Sequence, residues 1–427
     1  MRKHFDVVVA GGGSAGVAAA VASARNGSHT LLVERSVRLG GNVANALVHS
    51  ICGLYRIADG GEPKVANGGF AMEFAGQLLK RGGASGPIRM GRLDVLLQEP
   101  AAFSQLCGDV TACEPYLTVL LGSEIRSASV NGGRLEWLDV SDYGAVSGGA
   151  FVDATGDGRM AQLARCGIER VAGCQLQRPA YIFALRGVDE AVLEDERRLH
   201  TVRVLARAIQ AGRLSGELAG AALRPTCLKG QVRVTIDLEA GGAYYDPMDE
   251  AALRGLREHG RGLACEFLEF LKSEIPGFER GELSELPERV GVRESGRVGG
   301  QYQITGADIL CGARFEDAVC VSAWPIEMRA TARGPRLEYP EGGAVCEVPL
   351  RALLARDVGN VLMAGRCMSS THEAQAALRV IGTCLATGEA AGVAAFLMGG
   401  AGGSFARMKF EGVAAQIRRV RERGSWA

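Results

Sequence analysis

Six residues near the start, Gly11-Gly12-Gly13-Ser14-Ala15-Gly16, leave this chain few ways to fold. They follow directly on Phe5-Asp6-Val7-Val8-Val9-Ala10, a β-branched run that reads as a buried parallel strand. The alanine-rich stretch from Val17 to Asn26 reads as a helix stopped by Asn26-Gly27, and Thr30-Leu31-Leu32-Val33 as a second strand closing on Glu34. Together these make a βαβ unit of the dinucleotide-binding kind. Gly11 permits the tight turn, Gly13 lets the backbone approach a pyrophosphate, and Gly16 lets the helix pack close to the strand. Ser14 and Ala15 open the helix, whose free N–H groups and dipole favour a diphosphate. Glu34, eighteen residues beyond Gly16, suits ribose hydroxyls and would repel a 2′-phosphate, which disfavours NADP here. Arg35 beside it is placed on the same nucleotide. A lone glycine triplet would equally fit a plain strand-to-helix turn; the two strands, the helix and the acidic residue together argue against that.

The fingerprint does not separate FAD from NAD. Leu117 to Leu121, the run through Val130, the Asn131-Gly132-Gly133 turn and Arg134 to Val140 read as a β-meander leading into Ala150-Phe151-Val152-Asp153 and the turn Ala154-Thr155-Gly156-Asp157-Gly158. Near the other end, Asn360 to Arg366 reads as a buried strand and Arg379 to Gly392 as a turn into an alanine-rich helix. The chain is therefore expected to return to its first sheet.

These segments carry a resemblance. Ala154-Thr155-Gly156 and Gly365-Arg366 resemble two flavin-contacting elements of the glutathione-reductase-type flavoproteins. More narrowly, Arg38-Leu39-Gly40-Gly41, Asp153 to Gly158, Gly291-Val292-Arg293-Glu294-Ser295 and Ala364-Gly365-Arg366-Cys367-Met368-Ser369 resemble, in order, a large bacterial family of FAD-dependent oxidoreductases. The resemblance implies an α/β, Rossmann-type, glutathione-reductase-like FAD-binding domain, discontinuous in sequence, with an inserted α+β substrate domain. It implies domain bounds of 1–165 (with an insertion near 45–110) and 350–400 for the nucleotide module, 166–349 for the substrate domain and 401–427 for a helical extension. It also implies that Gly40 and Gly41 lie beside the diphosphate and that Ile125 supplies backbone contacts to adenine. Ala154, Thr155 and Gly156 would lie near the adenosine half, and Gly365 and Arg366 near the ribityl and pyrophosphate. Many related flavoproteins carry an aspartate where this chain has Arg366. Val380, Ile381 and Gly382 would present N–H groups to the flavin's pyrimidine edge, where a helix N-terminus favours the charge of reduced flavin by roughly 0.3–1 kcal/mol.

The rest of the sequence narrows the field. Lysine plus arginine and aspartate plus glutamate balance at 48 each, with no like-charge block to track a phosphate backbone, so nucleic acid is not an expected partner. The twelve cysteines show no CxxC spacing, which points to reduced thiols in a cytoplasmic protein, with Cys367 and Cys384 as core thiols, no metal and no disulfide-reductase chemistry. The basic N-terminus before an apolar run resembles a secretory signal, but Asp6 and Gly11 to Gly13 interrupt it. The apolar stretch from about Ala376 to Leu397 contains Arg379 and Glu389 and is a poor membrane span. In the middle, an arginine-rich amphipathic stretch from Glu196 to Arg213, a strand from Gln231 to Leu238 and a helix from Pro247 to Ile275 are expected to form the substrate domain.

The flavin carries the hydride chemistry, so catalytic side chains are harder to name. His372 is a candidate acid or base at the flavin's rim, or a structural histidine capped by Glu373. Arg293 either binds an anionic substrate or pairs with Glu294 across the domains. Cys52 and His49 either tether flavin covalently or form a packed wall. No second GxGxxG follows a strand, so electrons come from the small-molecule substrate itself or from a transient NAD(P)H or other partner. The reading is an FAD-dependent oxidoreductase moving hydride to or from a small molecule. The alternatives are a flavin monooxygenase or a non-catalytic nucleotide-binding protein.

Overall fold

The computed structural model describes residues 2–239, 245–400 and 410–423. Its first strand, Lys3–Ala10, runs parallel between Thr30–Val33 and Gly144–Asp153 inside a seven-stranded sheet. Val7, Val8, Val9, Leu31, Leu32, Phe151 and Val152 are fully buried, the continuous apolar run that a strand covered on both faces demands. The fingerprint helix, Ser14–Arg25, starts directly after the glycine turn as expected.

The meander forms from Ile125–Asn131, Arg134–Val140 and Gly144–Asp153, all antiparallel. Its first turn needs two glycines because Gly132 and Gly133 both take positive φ, 56° and 72°, the geometry of a two-residue hairpin. Leu117–Leu120 does not belong to it. That strand pairs parallel with Thr30–Val33 at the opposite side of the sheet, because the helix Pro100–Ala112 before it supplies the crossover a parallel neighbour requires.

The chain does return. Val361–Met363 pairs parallel with Phe151–Asp153, while the earlier half of the same strand pairs with the meander. Asn360, fully buried, fills the fork: its amide accepts from Leu135 N at 2.8 Å and donates to Leu135 O at 2.9 Å. The last long helix, Ile381–Gly400, then lies on the fingerprint helix. A Cβ on Gly388 would stand 2.1 Å from Ala15 O and one on Gly392 2.1 Å from Ala19 O. Only glycine at both positions allows so close a contact. Ile381–Gly399 is long and apolar enough to cross a membrane by composition alone, but 83% of it is buried inside the protein.

A second layer is built on a four-stranded antiparallel sheet ordered Ala222–Pro225, Gln231–Asp237, Ala180–Arg186, Glu282–Glu285. Alternation along these strands splits their side chains between two faces. Tyr181, Phe183, Leu185, Val232, Val234 and Ile236 pack with Leu263, Phe267 and Leu271 of the helix Glu250–Glu274 in one core. Ile182, Ala222, Arg224 and Thr235 point the other way, into a cavity. The expected amphipathic helix appears as Asp195–Gln210, whose Leu205 and Ala208 join the same core.

The second core draws on residues 176–292, whereas Val298, Ile309, Val319, Cys346 and Val348 are buried with the nucleotide module. This second layer, expected to take the substrate and to run to 349, thus has its core end at 292. Between 45 and 110 the chain forms a small sheet from Ser50–Ile51, Leu93–Gln98 and Ala84–Met90, with the helix Phe70–Lys80. Of the 401–427 extension, Phe410–Arg423 is helical; 401–409 and 424–427 lie outside the described residues.

The glycine contact makes a stability prediction. Gly392→Val should lower the unfolding free energy in urea by about 1–3 kcal/mol or more, since two helix backbones must separate. Gly262→Ala, whose added Cβ meets nothing within 4 Å in the interior of Glu250–Glu274, should instead raise it by up to about 1 kcal/mol. Equal effects would show that the helix contact is not tight.

Candidate functional site

One cavity of about 850 Å³ runs from the fingerprint turn to the open face of the four-stranded sheet. At its first end lie Gly11, Gly13, Ser14 and Ala15. The fingerprint helix has no side-chain cap and no acidic residue in its first turn, so its leading N–H groups are left for a ligand. A Cβ on Gly13 would find only Gly41 Cα, at 3.8 Å, and so would project into free space. Gly16 does not line the cavity. Its added Cβ would fall 1.7 Å from Gly11 O, which makes it the packing glycine its spacing predicts.

Glu34 is buried, and its two oxygens accept from Gly12 N at 2.5 Å and Ser36 N at 2.7 Å. The carboxylate, expected as a ribose acceptor, thus ties the glycine turn together, and Glu34 also lines the cavity. Arg35 also lines the cavity and pairs with Glu250 of the long helix at 2.9 Å. Gly41 and Ile125 line the same end. Gly40 does not: its N–H donates to Gly12 O at 2.8 Å, so it props the fingerprint from behind.

Ala154, Thr155 and Gly156 form the adjoining wall. Fully buried Asp153 holds them in place by accepting from Thr155 N at 3.0 Å, Thr155 Oγ1 at 2.6 Å and Ala161 N at 2.8 Å. Burial pushes its carboxyl pKa up, against those hydrogen bonds. Gly365 and Arg366 close this side. The Arg366 guanidinium lies over Gly156, 2.7 Å from Asp157 and 3.1 Å from Ser295 Oγ. It is held by neighbours, and lines the cavity from that position.

Val380 and Ile381 also line the cavity. Gly382, expected to offer a third N–H, has none to give, because it donates to Cys52 O at 2.9 Å. A Cβ there would meet the Gly53 and Leu54 backbones at 2.5 Å, so Gly382 marks a crossing of two chain segments.

His49 and Cys52 are both in the cavity wall. His49 is buried with Nδ1 unpartnered, and burial, reinforced by Arg233, pushes its pKa down to about 3. Burial and then Glu327 push the Cys52 thiol up to about 12. At neutral pH both are uncharged.

His372 is brought elsewhere. It does not line the cavity; its Nδ1 lies 2.7 Å from Glu294 Oε1, which also holds Arg297 at 2.6 Å. Its partner is Glu294, reached across the fold, and not its chain neighbour Glu373. Glu294 is thereby taken, and Arg293 pairs instead with Asp237 at 2.7 Å and with the Arg178 carbonyl. Arg293 does reach the cavity wall.

Sequence reading missed the groups that crowd around it. Arg224, Arg329, Arg379, Glu327 and Trp324 all line the far end. Burial opposes the charge on Glu327, but Arg329 and Arg379 outweigh it and hold the carboxyl at about 2. Arg329 is 2.7 Å from Glu327 and 2.9 Å from Asp237, and the Trp324 indole N–H donates to Glu327 at 2.9 Å. These residues come from separate segments, and only the position of Arg379 directly before Val380-Ile381 offered a signal.

Residues 6–417 match the family described as FAD dependent oxidoreductase. No curated protein matches the sequence. Among solved structures, a geranylgeranyl bacteriochlorophyll reductase-like protein from Thermoplasma acidophilum is 12% identical with a TM-score of 0.51, over 99% of this chain and 86% of that one. The p-nitrophenol 4-monooxygenase of Pseudomonas putida DLL-E4 is 12% identical with a TM-score of 0.48, over 99% and 86%. The first likeness is one of fold.

The buried imidazole sets a pH dependence. An unfolded histidine titrates near 6.5 and His49 in the fold at about 3. Between those values the unfolded chain takes up a proton that the folded one refuses, so stability falls as pH drops through that window. From pH 6.5 to 4.5, His49→Gln should lose about 2 kcal/mol less unfolding free energy than the parent. Equal losses in denaturant titrations at the two pH values would contradict this.

Proposed function

The chain belongs to the FAD dependent oxidoreductase family, and on that premise we propose that it moves hydride between a small-molecule substrate and FAD, the substrate entering between the nucleotide module and the four-stranded sheet. The protein is an FAD-dependent enzyme; the residue roles are our reading. The observation that carries it is the single cavity joining an uncapped helix N-terminus to a second, chemically different wall. A ligand with a diphosphate at one end and a redox ring toward the other fits such a shape. The return of Val361–Met363 to the first sheet supports the glutathione-reductase-like variant of the nucleotide fold.

In this reading Gly11, Gly13, Ser14 and Ala15 receive the diphosphate, with Gly41 alongside. Glu34 and Arg35 take the adenosine ribose and Ile125 the adenine. Ala154 to Gly156, Gly365 and Arg366 flank the middle of the cofactor, and Val380 and Ile381 its ring end. FAD supplies the two-electron chemistry when bound. Cys52 and neutral His49 wall off that end without adding charge of their own, while the sheet face carrying Ile182, Arg224 and Thr235 receives the substrate. A transient NAD(P)H or another external partner supplies or removes the electrons. Free thiols at all the described cysteines suit a cytoplasmic setting.

Gly13→Glu tests the cofactor assignment, because the protein itself leaves room for that side chain while a carboxylate there would face the diphosphate. The variant should fold with an unfolding free energy within about 1 kcal/mol of the parent without flavin. Its FAD affinity, followed by fluorescence quenching, should drop at least about a hundredfold, or nearly 3 kcal/mol. Retained affinity would place the diphosphate elsewhere.

A further inference from the structure

Four guanidiniums, Arg224, Arg293, Arg329 and Arg379, share the far wall of the cavity, and the carboxylates paired with them are two, Asp237 and Glu327. Arg329 takes both, and Arg293 takes Asp237 and a carbonyl. The other two are left over. Arg224 has no carboxylate within ion-pair distance among the described residues, and its one hydrogen bond is to the adjacent Leu223 carbonyl, at 3.4 Å. Among the described residues Arg379 hydrogen-bonds only to the neutral oxygens of Gln177, at 3.2 Å, and of the Glu327 backbone, at 3.3 Å; its Nε is buried without a hydrogen-bond partner there.

Glu327 is near enough to offset part of this charge, but four cations against two carboxylates leave an excess; such an excess in a cavity wall is costly, and the cost falls when an anion binds. The protein does not supply the anion from within. Cys52, close enough to both arginines to feel their charge, keeps its proton, its pKa pushed up to about 12 mainly by burial. Burial lowers both guanidiniums, Arg379 to about 10, yet leaves them charged at neutral pH. Arg198 adds further positive charge beside Arg224. Leu93, Val95, Ile182 and Trp324 give this end an apolar wall, and the Trp324 ring is fixed through its bond to Glu327.

We infer that the substrate is an organic carboxylate with an apolar body, its carboxylate held by Arg224 and Arg379 and its body set against Leu93, Val95, Ile182 and Trp324. This rests on the flavoenzyme reading above, since it names what that enzyme takes. Arginine suits the task because its planar donors match a carboxylate in pairs.

Benzoate and its uncharged counterpart benzamide are the probes, titrated into the FAD-loaded protein by isothermal calorimetry while the flavin absorbance is followed. Benzoate should bind at least tenfold more tightly than benzamide. Arg224→Gln and Arg379→Gln should each weaken benzoate at least tenfold and leave benzamide within about threefold, and Arg224→Lys, which keeps the charge and controls for folding, should recover part of the loss. Equal affinity for the two probes, or unchanged benzoate binding in Arg224→Gln, would overturn the assignment. A protein that holds FAD but prefers neither probe refutes the carboxylate site alone. One that takes up no FAD refutes the flavoenzyme reading, and the same calorimetry on the flavin-free protein then decides the anion site by the same tenfold criterion.

Discussion

The contact on which this architecture depends is the one between its first and last long helices. Gly388 and Gly392 lie four residues apart on one face of Ile381–Gly400 and meet the backbone of Ala15 and Ala19, equally spaced on the fingerprint helix. The absence of side chains lets the backbones touch, and that closeness sets where the two ends of the chain sit. Because Ile381 begins the same helix, the approach carries Val380 and Ile381 to the cavity that Gly11 and Gly13 open. The return strand Val361–Met363, registered on Phe151–Asp153, brings Gly365 and Arg366 to the same place. Segments from both ends of the chain, residues 11–15 and 364–381, thus share one wall.

The cavity's two ends are held open by different physics. At the nucleotide end, the backbone leaves donors without intramolecular partners and Glu34 ties the glycine turn by its own carboxylate. At the sheet end, four arginines against two carboxylates leave an excess of positive charge, with Asp237 and Glu327 fixing Arg293 and Arg329. Unsatisfied groups of either kind cost stability in a folded protein, and the large apolar cores around both sheets offset that cost. A departure from full internal satisfaction is what a binding site looks like when its ligand supplies the missing partners.

Much of the nucleotide module was legible because its signals are local. The βαβ unit is contiguous, each glycine has a task set by turn geometry, and the two glycines of the Gly132-Gly133 turn mark the hairpin. Signals that depend on tertiary neighbours were read less well. Leu117–Leu120 looked like meander because alternation does not say which edge a strand joins. Gly382 looked like a donor because the sequence does not show that Cys52 O reaches it first. His372 was placed near chemistry by chain proximity, whereas Glu294 claims it across the fold; Arg293, expected to bind an anion or to pair with Glu294, lines the cavity but pairs with Asp237. The anion-facing pair, Arg224 and Arg379, emerged only by accounting for which charges already have partners.

The central claim is that this protein is a flavoenzyme with FAD in the cavity beneath the fingerprint helix. Its most direct test is the visible absorption spectrum of the purified protein, incubated with FAD, desalted and then acid-precipitated into supernatant and pellet. The account predicts a flavin spectrum in the supernatant at close to one FAD per chain. Absence of flavin from both fractions would contradict it.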